Sequence, residues 1–385
     1  MPKPTRLYNL DFLRGTAAFL VLIGHLRAYV FQNYNDIAHE NLHIKAFYFI
    51  TGLGHQAVII FFALSGFLVG GKALSDILNH RFSWSRYFLR RLTRLWIVIF
   101  PALLLTLFLD GIGSWLTGGM GYGGQYYEIY NSGPHGPAGI DHSLLTFFGN
   151  LAFLQTIYVP TFGSNGPMWS LANEFWYYVV FPLAAWVVLV RSATLVRVAA
   201  LCILFLIVML LPTWLLAGGL IWVAGAVAAW CTKRPTLARV FKHLAARVGV
   251  ISALLAALIL TKIRPDDIGD LGLGIVVALS LPILATLPSP GSLYNAVSHG
   301  ASEFSYTLYL THFPLLTLIS LAGFAPSKFS PSIFSAGLYV TLLTVALAWA
   351  AAAWWCFERN TDRAYFAITN AFPTPTSLGR ESAND

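Results

Sequence analysis

The chain has 385 residues, of which 57% are apolar and only 10% charged, against about a quarter charged in an ordinary soluble domain. That balance excludes a water-solvated globule and predicts an all-α, polytopic integral membrane protein. The net charge of +8 does not point to nucleic acid, because the Lys and Arg residues cluster at the ends of apolar runs, where anionic lipid and topology account for them.

Crossing about 30 Å of hydrocarbon takes roughly 20 residues. Runs of that kind are expected near 10–30, 47–71, 88–110, 169–190, 194–211, 213–232, 248–263, 270–288, 303–321 and 332–356. This predicts about ten spans in one transmembrane domain over 1–360, followed by a cytoplasmic tail at 361–385. No repeat of 20 to 50 residues is visible.

Lys3 and Arg6 precede the first run, but Asp11 and Arg14 interrupt it and no small-residue cleavage site follows, so it is expected to stay as the first span. Ionisable groups inside a bilayer are costly and are functional candidates by default. Arg14 and His25 are about 16 Å and three turns apart along that helix and project from nearly the same face. Arg14 can also snorkel to the interface. His25, amid Val21-Leu22-Ile23-Gly24, needs a hydrogen-bond partner for its ring.

The third run opens with Arg90-Arg91-Leu92-Thr93-Arg94. Arg91 and Arg94 stand one turn apart and can present their guanidiniums together, which suits phosphates, although an anionic lipid surface would satisfy them too. The stretch from Gly111 to Asp141 is rich in Gly and Tyr and holds no Lys or Arg. It reads as an outer loop in which Tyr122, Tyr126, Tyr127 and Tyr130 stack on a sugar, or as a plain connection.

The segment 142–160 is apolar but short, and it carries Asn150 and Gln155. If it does not cross and the N-terminus is cytoplasmic, nineteen of the 24 Lys and Arg residues fall inside, as the positive-inside rule requires. If it crosses, they divide evenly. A re-entrant or interfacial segment is therefore expected.

A fourth span starting at Trp169 places Glu174 about five residues below the outer surface, at the depth of His25, where its carboxylate would orient the imidazole. In the ninth run Ser305, Tyr309 and His312 share a face, as candidate substrate-site residues or as interhelical hydrogen-bonding groups. Cys202, Cys231 and Cys356 are too scattered for a disulfide framework or a metal site. With no Walker loop, His-Glu-x-x-His or Gly-x-Ser-x-Gly signature, no metal and no cofactor beyond a co-substrate is expected.

Several segments together resemble the acyltransferase 3 family of bacterial membrane O-acyltransferases. They are Leu10-Asp11-Phe12-Leu13-Arg14-Gly15 through His25, Phe61 to Leu68, Arg91 to Arg94, Met168 to Tyr177, and Phe304 to Pro314. The family's Arg, ten residues, His motif falls on Arg14 and His25, and its Arg-x-x-Arg motif on Arg91 and Arg94. Ala172-Asn173 depart from it, since Val or Ile is commoner before the glutamate.

The resemblance implies a bacterial inner-membrane enzyme with both termini cytoplasmic. It would move an acyl group, most often acetyl, from cytoplasmic acyl-CoA to a hydroxyl of a glycan or lipid-linked sugar on the outer side. CoA phosphates would dock on Arg90, Arg91 and Arg94, the pantetheine arm would pass Arg14, and His25, oriented by Glu174, would deprotonate the acceptor or carry the acyl group transiently. The membrane domain is expected to complete the reaction alone. A secondary transporter using a buried His/Arg/Glu relay is the alternative from another class.

Overall fold

In hydrocarbon each backbone polar group must be paired within its own segment, so apolar runs fold as helices. The computed structural model describes residues 6–37, 41–130, 138–234 and 243–371, and among them it is helical with no strand. The helices are α1 (Tyr8–Val30), α2 (Leu42–Thr51), α3 (Gly54–Ser65), α4 (Gly71–Leu78), α5 (Trp84–Thr117), α6 (Leu144–Leu151), α7 (Trp169–Leu189) and α8 (Thr194–Leu210). They continue as α9 (Thr213–Thr232), α10 (Leu244–Ile263), α11 (Asp267–Thr286), α12 (Ser292–Glu303), α13 (Ser305–Gly323), α14 (Ile333–Cys356) and α15 (Thr361–Ala371).

Among the described residues, seven helical segments are long and apolar enough to cross a membrane, and an eighth if α12 and α13, bent by 55°, form one span. The remaining two expected runs are helical as well. One is α1, 23 residues long, whose Asp11, Arg14, His25 and Arg27 dilute its hydropathy. The other is α8, 17 residues long, short of a full crossing. Length and composition thus support seven or eight spans where ten were expected.

The second span is longer than the expected 47–71, because α2, α3 and α4 run on as one apolar segment from Leu42 to Leu78. A π-helical turn at Gly66–Gly70 joins α3 to α4. There the chain lies against α9 with no room for side chains: a Cβ on Gly66 would meet the Trp222 carbonyl oxygen at 1.9 Å, and one on Gly71 the Ala229 Cβ at 2.3 Å. Small residues allow this approach, and dispersion between close backbones stabilises it.

The segment 142–160 does not cross. Its helix α6 has eight residues, about 12 Å, capped by Ser143, whose hydroxyl accepts from the Thr146 N–H at 3.2 Å. The chain then doubles back through Phe153 and Thr156, both in the left-handed region. Buried polar side chains satisfy this irregular backbone. Asn150 Nδ2 donates to the Pro160 carbonyl (2.9 Å), Gln155 Nε2 to that of Met168 (3.0 Å), and Asn165 Nδ2 to that of Leu310 in α13 (2.8 Å). Asp110 of α5 accepts from the Ser164 N–H (2.8 Å) and hydroxyl (2.6 Å), and its second contact is His142 Nε2 at 2.9 Å. Asn150 and Gln155, which argued against a crossing helix, hold the re-entrant turn together.

The Gly/Tyr-rich stretch expected to be an outer loop divides, and its residues 131–137 lie outside the described residues. Tyr122 and Tyr130 are buried, Tyr130 tilted against Tyr29 with ring centroids 5.3 Å apart. They are core side chains and leave only Tyr126 and Tyr127 to meet a ligand. Beyond 360, α15 docks on α5, and residues 372–385 of the expected tail are outside the described residues.

Candidate functional site

A cavity of about 270 Å³ opens between α1, α3, α5, α7 and α13. Arg14, Arg91 and Arg94 line it together with Ser65, Ser170, Glu174, Tyr178, Ser305, Tyr306 and Tyr309. Six of the expected site residues (Arg14, Arg91, Arg94, Glu174, Ser305 and Tyr309) therefore share one space. Three guanidiniums face one cavity carboxylate, so the wall is net positive.

Arg14 reaches it because of the bend between α12 and α13. The bend brings Ser302 beside α1, where its hydroxyl accepts from Arg14 Nη1 at 3.0 Å and donates to Asp11 at 3.1 Å. Asp11 in turn takes an ion pair from Arg6 at 2.6 Å. Arg14 is thereby held by protein groups, which replaces the snorkelling alternative.

Arg91 lies over the Tyr178 ring, 6.0 Å from its centroid. Its Nε and the Tyr306 hydroxyl are buried with no hydrogen-bond partner among the described residues. Unsatisfied buried donors are rare and costly, and two of them line this cavity. Arg90, expected to join Arg91 and Arg94, does not. Successive residues turn about 100° round a helix, and Arg90 points outward to lie 5.1 Å over the Tyr365 ring of α15.

Glu174 is held by hydroxyls: Ser65 donates to Oε1 at 2.7 Å, the Tyr178 hydroxyl donates to the same oxygen, and Trp222 Nε1 donates to Ser65 at 3.1 Å. Ser65 closes α3, about 16 Å beyond Gly54. Glu174 accordingly sits near the level of Arg14, and the expected match in depth with His25 is corrected. The cause is the re-entrant segment. It delivers the chain to Trp169 inside the bundle, beside fully buried Met168, so α7 begins within the bundle and not at its end.

The partner of His25 is His312. His25 Nδ1 and His312 Nε2 are 2.9 Å apart, with the rings stacked at 5.2 Å. His312, fully buried, also has Nδ1 2.7 Å from the Leu308 carbonyl oxygen. A carbonyl only accepts, so the network assigns the N–H of His312 to Nδ1 and its lone pair to Nε2. His25 then donates from Nδ1 and keeps Nε2 as its basic nitrogen. Tyr309 connects the two regions: it lines the cavity, its hydroxyl is 2.7 Å from Ser170, and its ring centroid is 6.5 Å from that of His312.

Sequence reading missed Ser65, Tyr178 and Ser302. Tyr178 was signalled, since it follows Glu174 by one turn on the same face. Ser65 and Ser302 were not, because each meets its partner from a distant segment. Glu358 was also missed: its carboxylate caps the start of α13, accepting from the Thr307 N–H (3.1 Å) and hydroxyl (2.6 Å).

A family model described as "Acyltransferase domain" matches residues 7–355. Among curated proteins, the chain is similar to "Acyltransferase MdmB" of Streptomyces mycarofaciens, 26% identical over 352 residues that cover 82% of this chain and 80% of that protein. No solved structure matches the chain.

Proposed function

Because the chain belongs to this acyltransferase family, we propose that it is an O-acyltransferase that takes an acyl group, acetyl by family frequency, from acyl-CoA to a hydroxyl of a glycan or lipid-linked sugar. The observation that carries the donor half is the cavity lined by Arg14, Arg91 and Arg94, in which Arg91 Nε and the Tyr306 hydroxyl are buried donors without a partner among the described residues. Phosphate oxygens would satisfy them with charge-assisted bonds. In this reading Arg91 and Arg94 hold the CoA phosphates. The pantetheine arm runs past Arg14 and Tyr309, and the thioester comes to rest near His25.

The acceptor hydroxyl arrives from the other side, and His25 Nε2 takes its proton as the oxygen attacks the thioester carbonyl. The carbon–oxygen bond forms, the carbon–sulfur bond breaks, and CoA leaves as thiolate to be protonated. His312 accepts from Nδ1–H throughout, fixing the tautomer of His25 and stabilising its imidazolium. Glu174, which sequence reading put in that role, belongs to the donor cavity instead. The protein would lie in the bacterial inner membrane, with both termini and the arginine end of the bundle facing the cytoplasm, where acyl-CoA is made.

Titrating CoA into detergent-purified protein tests the donor half. Arg91→Ala and Arg94→Ala should each weaken binding about tenfold, as expected for a lost charged hydrogen bond, while His25→Ala binds normally. Wild-type affinity in both arginine variants would overturn the reading.

A further inference from the structure

The histidine end of the bundle carries few cations: Arg27, Lys45, Lys262, Arg264 and Lys328. Two of them, Arg27 and Lys45, line one pocket. It has a volume of about 370 Å³ and is lined by Arg27, Tyr34, Lys45, Tyr48 and Phe49. The Arg27 guanidinium lies 5.1 Å over the Tyr48 ring, which is fixed by its hydroxyl donating to the Gln32 carbonyl at 2.7 Å. Arg27 Nε is buried with no partner among the described residues.

Two further ammonium groups are within electrostatic reach of Arg27. Lys262 donates to the Gly52 carbonyl on the turn between α2 and α3. Lys328, in the loop before α14, lies 5.2 Å over the Tyr130 ring. Burial first, and then the charge of Arg27, push the Lys328 ammonium below the ordinary lysine range, with Asp36 opposing. Arg264, at the same end but outside the pocket, pairs with Asp266 at 2.6 Å. Like charges gathered against aromatic walls repel one another, and an anion among them reverses the sign.

We propose that this pocket is a second anion site, distinct from the donor cavity, which binds a phosphate group presented at the histidine end. Arg27 supplies a planar fork for two phosphate oxygens and the lysines supply point charges. Tyr34, Tyr48 and Phe49 pack against the sugar or hydrocarbon next to the phosphate. That chemistry is shared by a phospholipid headgroup and by the phosphate of a lipid-linked or phosphorylated acceptor. Arg27 stands two residues beyond His25, about 200° round the helix, so the bound group would lie on the face of α1 turned away from the imidazole. Phosphate binding itself does not depend on the role proposed for His25.

The test uses the full chain in nanodiscs, in an Arg91→Gln/Arg94→Gln background that silences the donor cavity, with circular dichroism confirming wild-type helix content. In phosphatidylcholine discs, inorganic pyrophosphate should bind saturably, and Arg27→Gln/Lys328→Gln should weaken it at least tenfold if the phosphate belongs to a soluble or acceptor molecule. If it belongs to the bilayer, native mass spectrometry should find phosphatidylglycerol retained by the background protein and lost from the Arg27→Gln/Lys328→Gln protein. Equal behaviour of the two proteins in both arms would overturn the proposal, as would an equal loss in Arg264→Gln, which removes a cation at the same end but outside the pocket.

Discussion

Helices α1 and α13 run parallel, yet their contacts at the two ends are built differently. At the arginine end, Arg14, Arg91 and Arg94 open onto a cavity with Glu174 and orphaned donors in its wall. At the histidine end, His25 and His312 stack on one another in an aromatic contact with Phe313, whose ring stands edge-on to His25 at 4.9 Å. The first arrangement binds charge and the second handles a proton. Ten residues of α1 separate Arg14 from His25, so binding and chemistry can be perturbed independently.

The sharpest break between the ends is His25→Ala. Removing the proposed base should lower acyl transfer by about 10³-fold, within the span expected for general-base catalysis. CoA affinity should stay unchanged when titrated into the same preparation. Near-normal turnover would dissolve the division of labour.

His312→Leu comes next, with transfer falling about 10²-fold through loss of the imidazolium partner. The fall should appear in kcat with the KM for acyl-CoA unmoved. His312→Gln should recover part of it, because an amide oxygen can accept from His25 Nδ1–H. A purely structural histidine would show no such rescue, and Glu174→Gln would then be as damaging as His312→Leu if the carboxylate were the orienting group after all.

At the other end, Arg94→Ala should raise the KM for acyl-CoA about tenfold with kcat little changed, the signature of uniform binding. A fall in kcat alone, measured at saturating donor, would move Arg94 from the binding end to the reacting one.

Much of this comparison was legible in local sequence. The spacing of Arg14 and His25 and the turn separating Arg91 from Arg94 depend only on helical geometry. What was not legible came from segments that meet across the chain. His312 lies 287 positions from His25, and spacing within one helix says nothing about that approach. The depth of Glu174 was misjudged because counting residues from Trp169 assumes that α7 starts at the surface, whereas Asn165 and Gln155 anchor the preceding turn inside the bundle. Helix α12 was missed for a related reason. Its sequence is too polar to read as a span, since its inward face consists of Ser298 and Ser302 and its apolar Leu293 and Val297 face outward.

The smallest expected effect discriminates most finely. Arg90 and Arg91 are adjacent on α5 and contribute equally to the positive charge of that end, but only Arg91 lines the cavity. If long-range attraction recruits the donor, Arg90→Ala and Arg91→Ala should weaken CoA binding alike, and both losses should vanish as salt screens exposed charges beyond about 8 Å at 0.15 M ionic strength. If the cavity binds the phosphates, Arg90→Ala should leave CoA affinity within about twofold at any salt, while Arg91→Ala keeps its tenfold loss. What Arg90→Ala should remove is its stacking on Tyr365, about 0.5–1 kcal/mol for an exposed pair. That loss should register as easier proteolysis near α15 with transfer intact, so docking of that helix and binding of the donor would be separated by one substitution.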